Sequence, residues 1–136
     1  MIVDASVAIK WLVTEDLSRS ATRLLSRDDL AAPGILDVEV GHFLTRKVRQ
    51  RVLGRLEAER MWAELADAPV ARENVEEAAD DAFDLSLRLN AALIDCLYLG
   101  LAIHLDDMLV TADERFVRAT RAEPSLRGYI RSLTEL

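Results

Sequence analysis

The chain reads as an α/β protein with a parallel sheet between layers of helices, and three observations predict this. Short apolar runs recur along it, and segments with helical spacing separate them. One stretch, Ala91 to Leu105, is apolar at nearly every position, the pattern of a helix covered on most of its surface. Acids follow the first and fourth apolar runs, where open parallel sheets collect their working groups.

Taken in order, Met1-Ile2-Val3 is a short apolar run ending at Asp4 and predicts a buried strand. Ala5 to Leu12 predicts a short helix, Glu15-Asp16 a break, and Ser18 to Ser26 resumes helical spacing through Ala21, Leu24 and Leu25. Leu30-Ala31-Ala32 predicts a second strand, closed by Pro33-Gly34. Asp37 opens a helix carrying Val38, Val40, Phe43, Leu44 and Val48; Gly54 punctuates it, and Leu56 to Leu65 continues as another helix. Pro69-Val70-Ala71 predicts a short strand, and Asn74 a cap for a helix from Val75 to Leu89. After the apolar helix, Met108-Leu109-Val110-Thr111 predicts a strand, Asp113 caps a helix through Phe116 and Val117, and Gly128-Tyr129-Ile130 predicts a last strand.

The 136 residues suit one domain spanning 1–136, with no linker, repeat or low-complexity segment. A hydrophobic fraction of 51% is ample for a core. The net charge of −7 opposes tight nonspecific nucleic-acid binding through cations, yet permits an enzyme that meets nucleic acid through metal ions, and it suits a basic partner peptide. Cys96, the single cysteine, excludes an internal disulfide and reads as a packed, inert thiol. Met1-Ile2-Val3 carries no basic flank, and the apolar helix is too short to span a bilayer, so no signal peptide, no membrane association and a cytoplasmic location are expected.

Four acids carry the chemistry. Asp4 and Asp113 stand at strand ends, Glu39 in the first turn of a helix between Val38 and Val40, and Asp95 in the middle of the apolar run. None has an obvious cationic neighbour in sequence, and a carboxylate among apolar residues must be paired, protonated or bound to a cation. Hard divalent ions take such oxygen ligands, and clustered acids holding them cleave phosphodiesters. No HxxxH or CxxC pattern offers a zinc site, and no glycine-rich phosphate loop is present. Structural roles stand beside these: Asp4 as a turn residue, Asp113 as an N-cap helped by Thr111, and Glu39 as a helix-dipole partner.

Asp4-Ala5-Ser6-Val7, Glu39, Ile94-Asp95-Cys96-Leu97-Tyr98-Leu99-Gly100-Leu101-Ala102 and Leu109-Val110-Thr111-Ala112-Asp113-Glu114-Arg115-Phe116 resemble, in order and spacing, the motifs of a PIN domain. The resemblance is strongest to the VapC-type ribonuclease toxins of toxin–antitoxin pairs. It implies a three-layer α/β/α sandwich with a short-stranded, mainly parallel central sheet, and Mg2+- or Mn2+-dependent endoribonuclease activity on RNA. It further implies a homodimer and a cognate antitoxin. Asp4, Glu39, Asp95 and Asp113 match the family's metal-binding catalytic acids, Ser6 the residue supporting the first acid, and Thr111 the hydroxyl preceding the last. The chain departs from the pattern at His42, where Asn is frequent, and at Arg115, where many members carry a further acid. One metal ion or two are both open.

Lys10, Trp11, His42, Arg46 and Lys47 are candidate substrate or partner contacts. Lys10 follows Asp4 by two turns and Trp11 adjoins it. His42 lies one turn from Glu39, and Arg46 and Lys47 begin the only dense basic stretch, which also reads as a solvated helix face. His104 is expected at the C-terminal carbonyls of its helix, and Trp62 in the core or a dimer interface. Two other classes compete. An aspartyl-phosphate phosphohydrolase also starts with a strand ending in Asp, but wants an acid where Ser6 stands. A noncatalytic interaction domain has no use for four unpaired acids.

Overall fold

The computed structural model describes residues 1–136. Five strands, β1 (Ile2–Val3), β2 (Leu30–Pro33), β3 (Val70–Glu73), β4 (Leu109–Thr111) and β5 (Ile130–Ser132), form one parallel sheet in the order β3-β2-β1-β4-β5. Ile2 and Val3 are fully buried at its centre, with Ile2 opposite Ala31 and Leu109, and Val3 opposite Val110. The chain runs outward from β1 to β2 and β3, then crosses back to β4 and β5. That reversal makes β1 and β4 the switch point of the sheet, where a crevice opens at the strand C-termini.

Helices α1 (Ala5–Leu12), α2 (Ser18–Leu24), α3 (Ile35–Arg49) and α4 (Arg55–Asp67) pack among themselves over the first half of the sheet. Helices α5 (Ala79–Leu89) and α6 (Leu93–His104) pack on each other, and α6 lies across β1, β2 and β4; right-handed crossovers place this pair on the opposite face. Helix α7 (Glu114–Ala122) covers β5. Burial follows helical spacing. Leu36, Val40 and Leu44 bury one stripe of α3, and Cys96, Leu99, Leu101 and Ala102 are among the core residues of α6. Gly41 has a packing reason to lack a side chain, because a Cβ there would lie 2.9 Å from the Trp62 ring.

Four expectations shift. Gly128 and Tyr129 close a 3-10 turn (Pro124–Tyr129), so the last strand starts at Ile130. The Val75 helix opens with a 3-10 turn (Glu76–Ala78), in which Asn74 Oδ1 accepts the Glu76 N–H, before α5 proper. Asp37 does not open α3: its carboxylate pairs with the Arg72 guanidinium across to β3, and the helix starts two residues earlier. Glu39 therefore sits in the second turn. Leu93 and Ile94, in the first turn of α6, and Leu105, just past its end, are exposed, so the apolar run is not covered along its whole length, and Asp95 falls in the first turn of α6 rather than mid-helix. No single helix is long and apolar enough to cross a membrane.

Candidate active site

Asp4 ends β1 and caps α1. Its Oδ1 accepts the Val7 N–H at 3.1 Å and the Ser6 hydroxyl at 2.6 Å. The Ser6 Oγ also accepts the Ala112 N–H at 2.9 Å, so one hydroxyl ties the end of β1 to the segment after β4. Buried Thr111 ends β4, and its Oγ1 accepts the Asp113 N–H at 3.0 Å. Asp113 caps α7, its Oδ1 taking the N–H groups of Arg115 and Phe116 at 2.9 and 3.0 Å. The capping roles of both strand-end aspartates are thus real, yet each uses one oxygen. Oδ2 of Asp4 and of Asp113 has no partner.

Glu39 reaches the same crevice from α3, and Tyr98 donates its hydroxyl to Glu39 Oε1 at 2.5 Å. Tyr98 itself is buried on α6, one turn beyond Asp95. It is the partner of a candidate acid that sequence reasoning passed over. The available signal was a hydroxyl three positions from a candidate ligand in an otherwise apolar helix. Asp95 makes no hydrogen bond. None of the four acids takes part in an ion pair.

Electrostatics show the four as neighbours. Burial first, and then the charges of Asp4 and Asp113, together push the Asp95 carboxyl up to about 6 from 3.8. Glu39 is raised by burial, then by Asp4 and Asp95, against the opposing hydrogen bond from Tyr98. Burial raises Asp4 as well, opposed by its hydrogen bonds from the Ser6 hydroxyl and the Val7 N–H and by the nearby Thr111 hydroxyl. The Tyr98 hydroxyl is driven strongly upward by burial and by Glu39, which keeps it a donor. No three of these side chains already converge as a closed metal cage. Mg2+ does not require one, since it is commonly held by one or two carboxylates with water and substrate phosphate completing the shell. An all-oxygen donor set with uncommitted oxygens and no compensating cation fits a hard divalent ion.

The other candidates disperse. Lys10 points its ammonium at Glu15, 2.8 Å away, so it is already paired. Trp11 donates its indole N–H to Ala21 O at 2.9 Å, fastening α1 to α2, and its ring borders a shallow cavity against α4. His42 makes no bond to Glu39; it is exposed and lines a groove of about 680 Å³ between α3 and α4 with Val38, Gly41, Val48 and Trp62. This groove, the larger concavity, contains none of the four acids. Arg46 and Lys47 lie 5.9 and 5.5 Å from the Phe43 ring centroid, without acidic partners. His104 meets Glu77 at 3.3 Å rather than the helix carbonyls, and Trp62 is half exposed in the groove rather than core. Cys96 is fully buried, its thiol pushed up to about 11 by burial and Asp95, and is inert.

The model of the PIN domain family matches residues 1–122. The chain belongs to the PIN domain family. Ribonuclease VapC1 of Mycobacterium tuberculosis is 31% identical over 121 residues, covering 87% of this chain and 89% of the relative. Ribonuclease VapC3 of the same organism is 32% identical over 120 residues, covering 88% and 86%. Among solved structures, PAE2754 from Pyrobaculum aerophilum superposes with a TM-score of 0.72 at 17% identity, over 98% of this chain and 89% of that one. At that identity the likeness concerns the fold: a PIN-type sheet between helical layers.

Proposed function

We propose that this PIN domain is a metal-dependent endoribonuclease, the toxin of a toxin–antitoxin pair, acting in the cytoplasm. One observation carries the reading. Four carboxylates from four separate segments border the sheet's switch point, with Asp4 and Asp95 near enough to act on Glu39, and Asp4 and Asp113 on Asp95; none is neutralised by an ion pair, and each keeps at least one oxygen uncommitted. The names of the VapC relatives, both ribonucleases, support RNA as the substrate.

Asp4 and Asp95, with Asp113 beside them, would hold Mg2+ or Mn2+, which when bound activates water and offsets charge on the phosphodiester. Ser6 holds one oxygen of Asp4 and leaves the other without a hydrogen-bond partner. Tyr98 holds Glu39 in orientation, and Thr111 sets the backbone of Asp113. The phosphohydrolase alternative loses ground: Ser6 stands where that chemistry wants an acid, and its hydroxyl is committed at both ends.

Purified protein should cut a structured RNA with Mg2+ or Mn2+ and stop in EDTA. Undiminished cleavage with metal verified absent refutes the mechanism, and no cleavage under any metal favours the noncatalytic domain. A cognate antitoxin and a homodimer belong to the same proposal. The exposed apolar residues of the α3–α4 groove, Val38 and Trp62, support a protein partner there.

A further inference from the structure

A second, smaller cavity of about 230 Å³ adjoins the carboxylates. Asp95 and Asp113 form one wall, and Asn90, Arg115 and Phe116 the rest, with small alanines between them. Its size is below the roughly 300–1,000 Å³ of sites that enclose a drug-sized ligand, and suits part of a polymer. We propose that Arg115 and Asn90 make this cavity a nucleotide subsite, seating the residue that adjoins the scissile phosphodiester, with Arg115 on its phosphate. The proposal rests on the ribonuclease reading and specifies how that site grips its substrate.

Arg115 shares the cavity with two carboxylates yet pairs with neither, and no other acid engages it. Its guanidinium is therefore uncommitted, although its backbone is fixed by the Asp113 cap in the first turn of α7. A planar fork held at its base and free at its tip is suited to bidentate grip of a phosphate. Asn90 ends α5 in the left-handed region, φ 49°, a conformation Asn tolerates, and its side-chain amide has no partner. An amide offers both donor and acceptor to a base edge, beside the apolar surface of Phe116 and the alanines. In a chain of net charge −7, an unpaired cation sharing a cavity with Asp95 and Asp113 gives a polyanion a local point of attachment.

The test is fluorescence anisotropy of a labelled single-stranded RNA titrated in Ca2+ at several salt concentrations, with the RNA verified intact afterwards. Arg115→Ala should raise Kd about tenfold and reduce the slope of log K against log salt by about 0.7, one phosphate contact on single-stranded RNA. Arg115→Lys should keep the slope and recover part of the affinity, and Asn90→Gly, which preserves the left-handed backbone, should weaken binding about threefold. Thermal melts within about 2 °C of wild type establish that the variants are folded. Wild-type binding with unchanged affinity and slope in Arg115→Ala overturns the subsite and leaves the ribonuclease reading standing. No RNA binding or cleavage by wild type overturns both.

Discussion

Replacing Asp95 by Asn separates the chemistry of the site from the stability of the fold. Asp95 lies partly buried beside Asp4 and Asp113, and its carboxyl titrates at about 6 rather than 3.8. Ionising such a group in the folded protein costs up to about 3 kcal/mol, from 1.36 kcal/mol per pKa unit. Partial exposure to solvent brings this to about 1–2 kcal/mol. A raised folded pKa contributes stability that is fully present below the unfolded pKa and is lost as pH rises through the folded pKa. Wild type in EDTA should therefore lose stability between about pH 4 and 6, while Asp95→Asn, which has nothing to ionise there, should not. Near neutral pH the variant should melt about 3–10 °C above wild type, at roughly 3–5 °C per kcal/mol for a chain of this size. Near pH 3 the two should coincide. The same variant should lose RNA cleavage and gain less Tm on addition of Mn2+, because a bound ion stabilises the native state in proportion to its affinity. The assay is a grid of thermal melts over pH, with EDTA and with Mn2+. A variant that melts below wild type at neutral pH in EDTA refutes the reasoning, since Asp95 would then be satisfied by partners within the fold.

Tyr98→Phe removes the donor on Glu39 and should cost about 1–2 kcal/mol at neutral pH, with a much smaller loss below pH 4, where Glu39 is protonated; urea denaturation at the two pH values measures this. Ser6→Ala cuts the tie between Asp4 and Ala112, and should lower cleavage at least tenfold while costing only about 1–2 kcal/mol of stability, read by kinetics and melts together. Replacing Arg46 and Lys47 by Gln should flatten the salt dependence of RNA affinity if they track the backbone; an unchanged slope assigns them to Phe43 and solvent alone. Trp11→Ala should lower Tm as well as antitoxin affinity, because its indole also fastens α1 to α2; an unaltered Tm would show that bond to be dispensable.

The five strands, the helices between them and the four acids were all legible in the sequence, because each is a local signal: apolar periodicity, capping residues, and carboxylates at strand ends or among apolar neighbours. Boundaries were legible only where local chemistry set them. Asp113 caps α7 as its type predicts, whereas Asp37 was captured by Arg72, thirty-five positions away, and moved the start of α3. What required the tertiary structure is everything that depends on long-range pairing. The sheet order makes β1 and β4 adjacent, so Ser6 can bridge Asp4 to Ala112 across 106 positions. The packing of α6 across the sheet lets Tyr98 meet Glu39 fifty-nine positions away. Lys10 and His42 share helices with catalytic candidates, yet their side chains leave the site for Glu15 and the α3–α4 groove. Arg115 appeared in the sequence only as a departure from a pattern; the fold brings the first turns of α6 and α7 to one cavity, and so Arg115 to Asp95. A side chain's identity states which interactions it can make, but which partner it meets is set by the sheet order and helix packing.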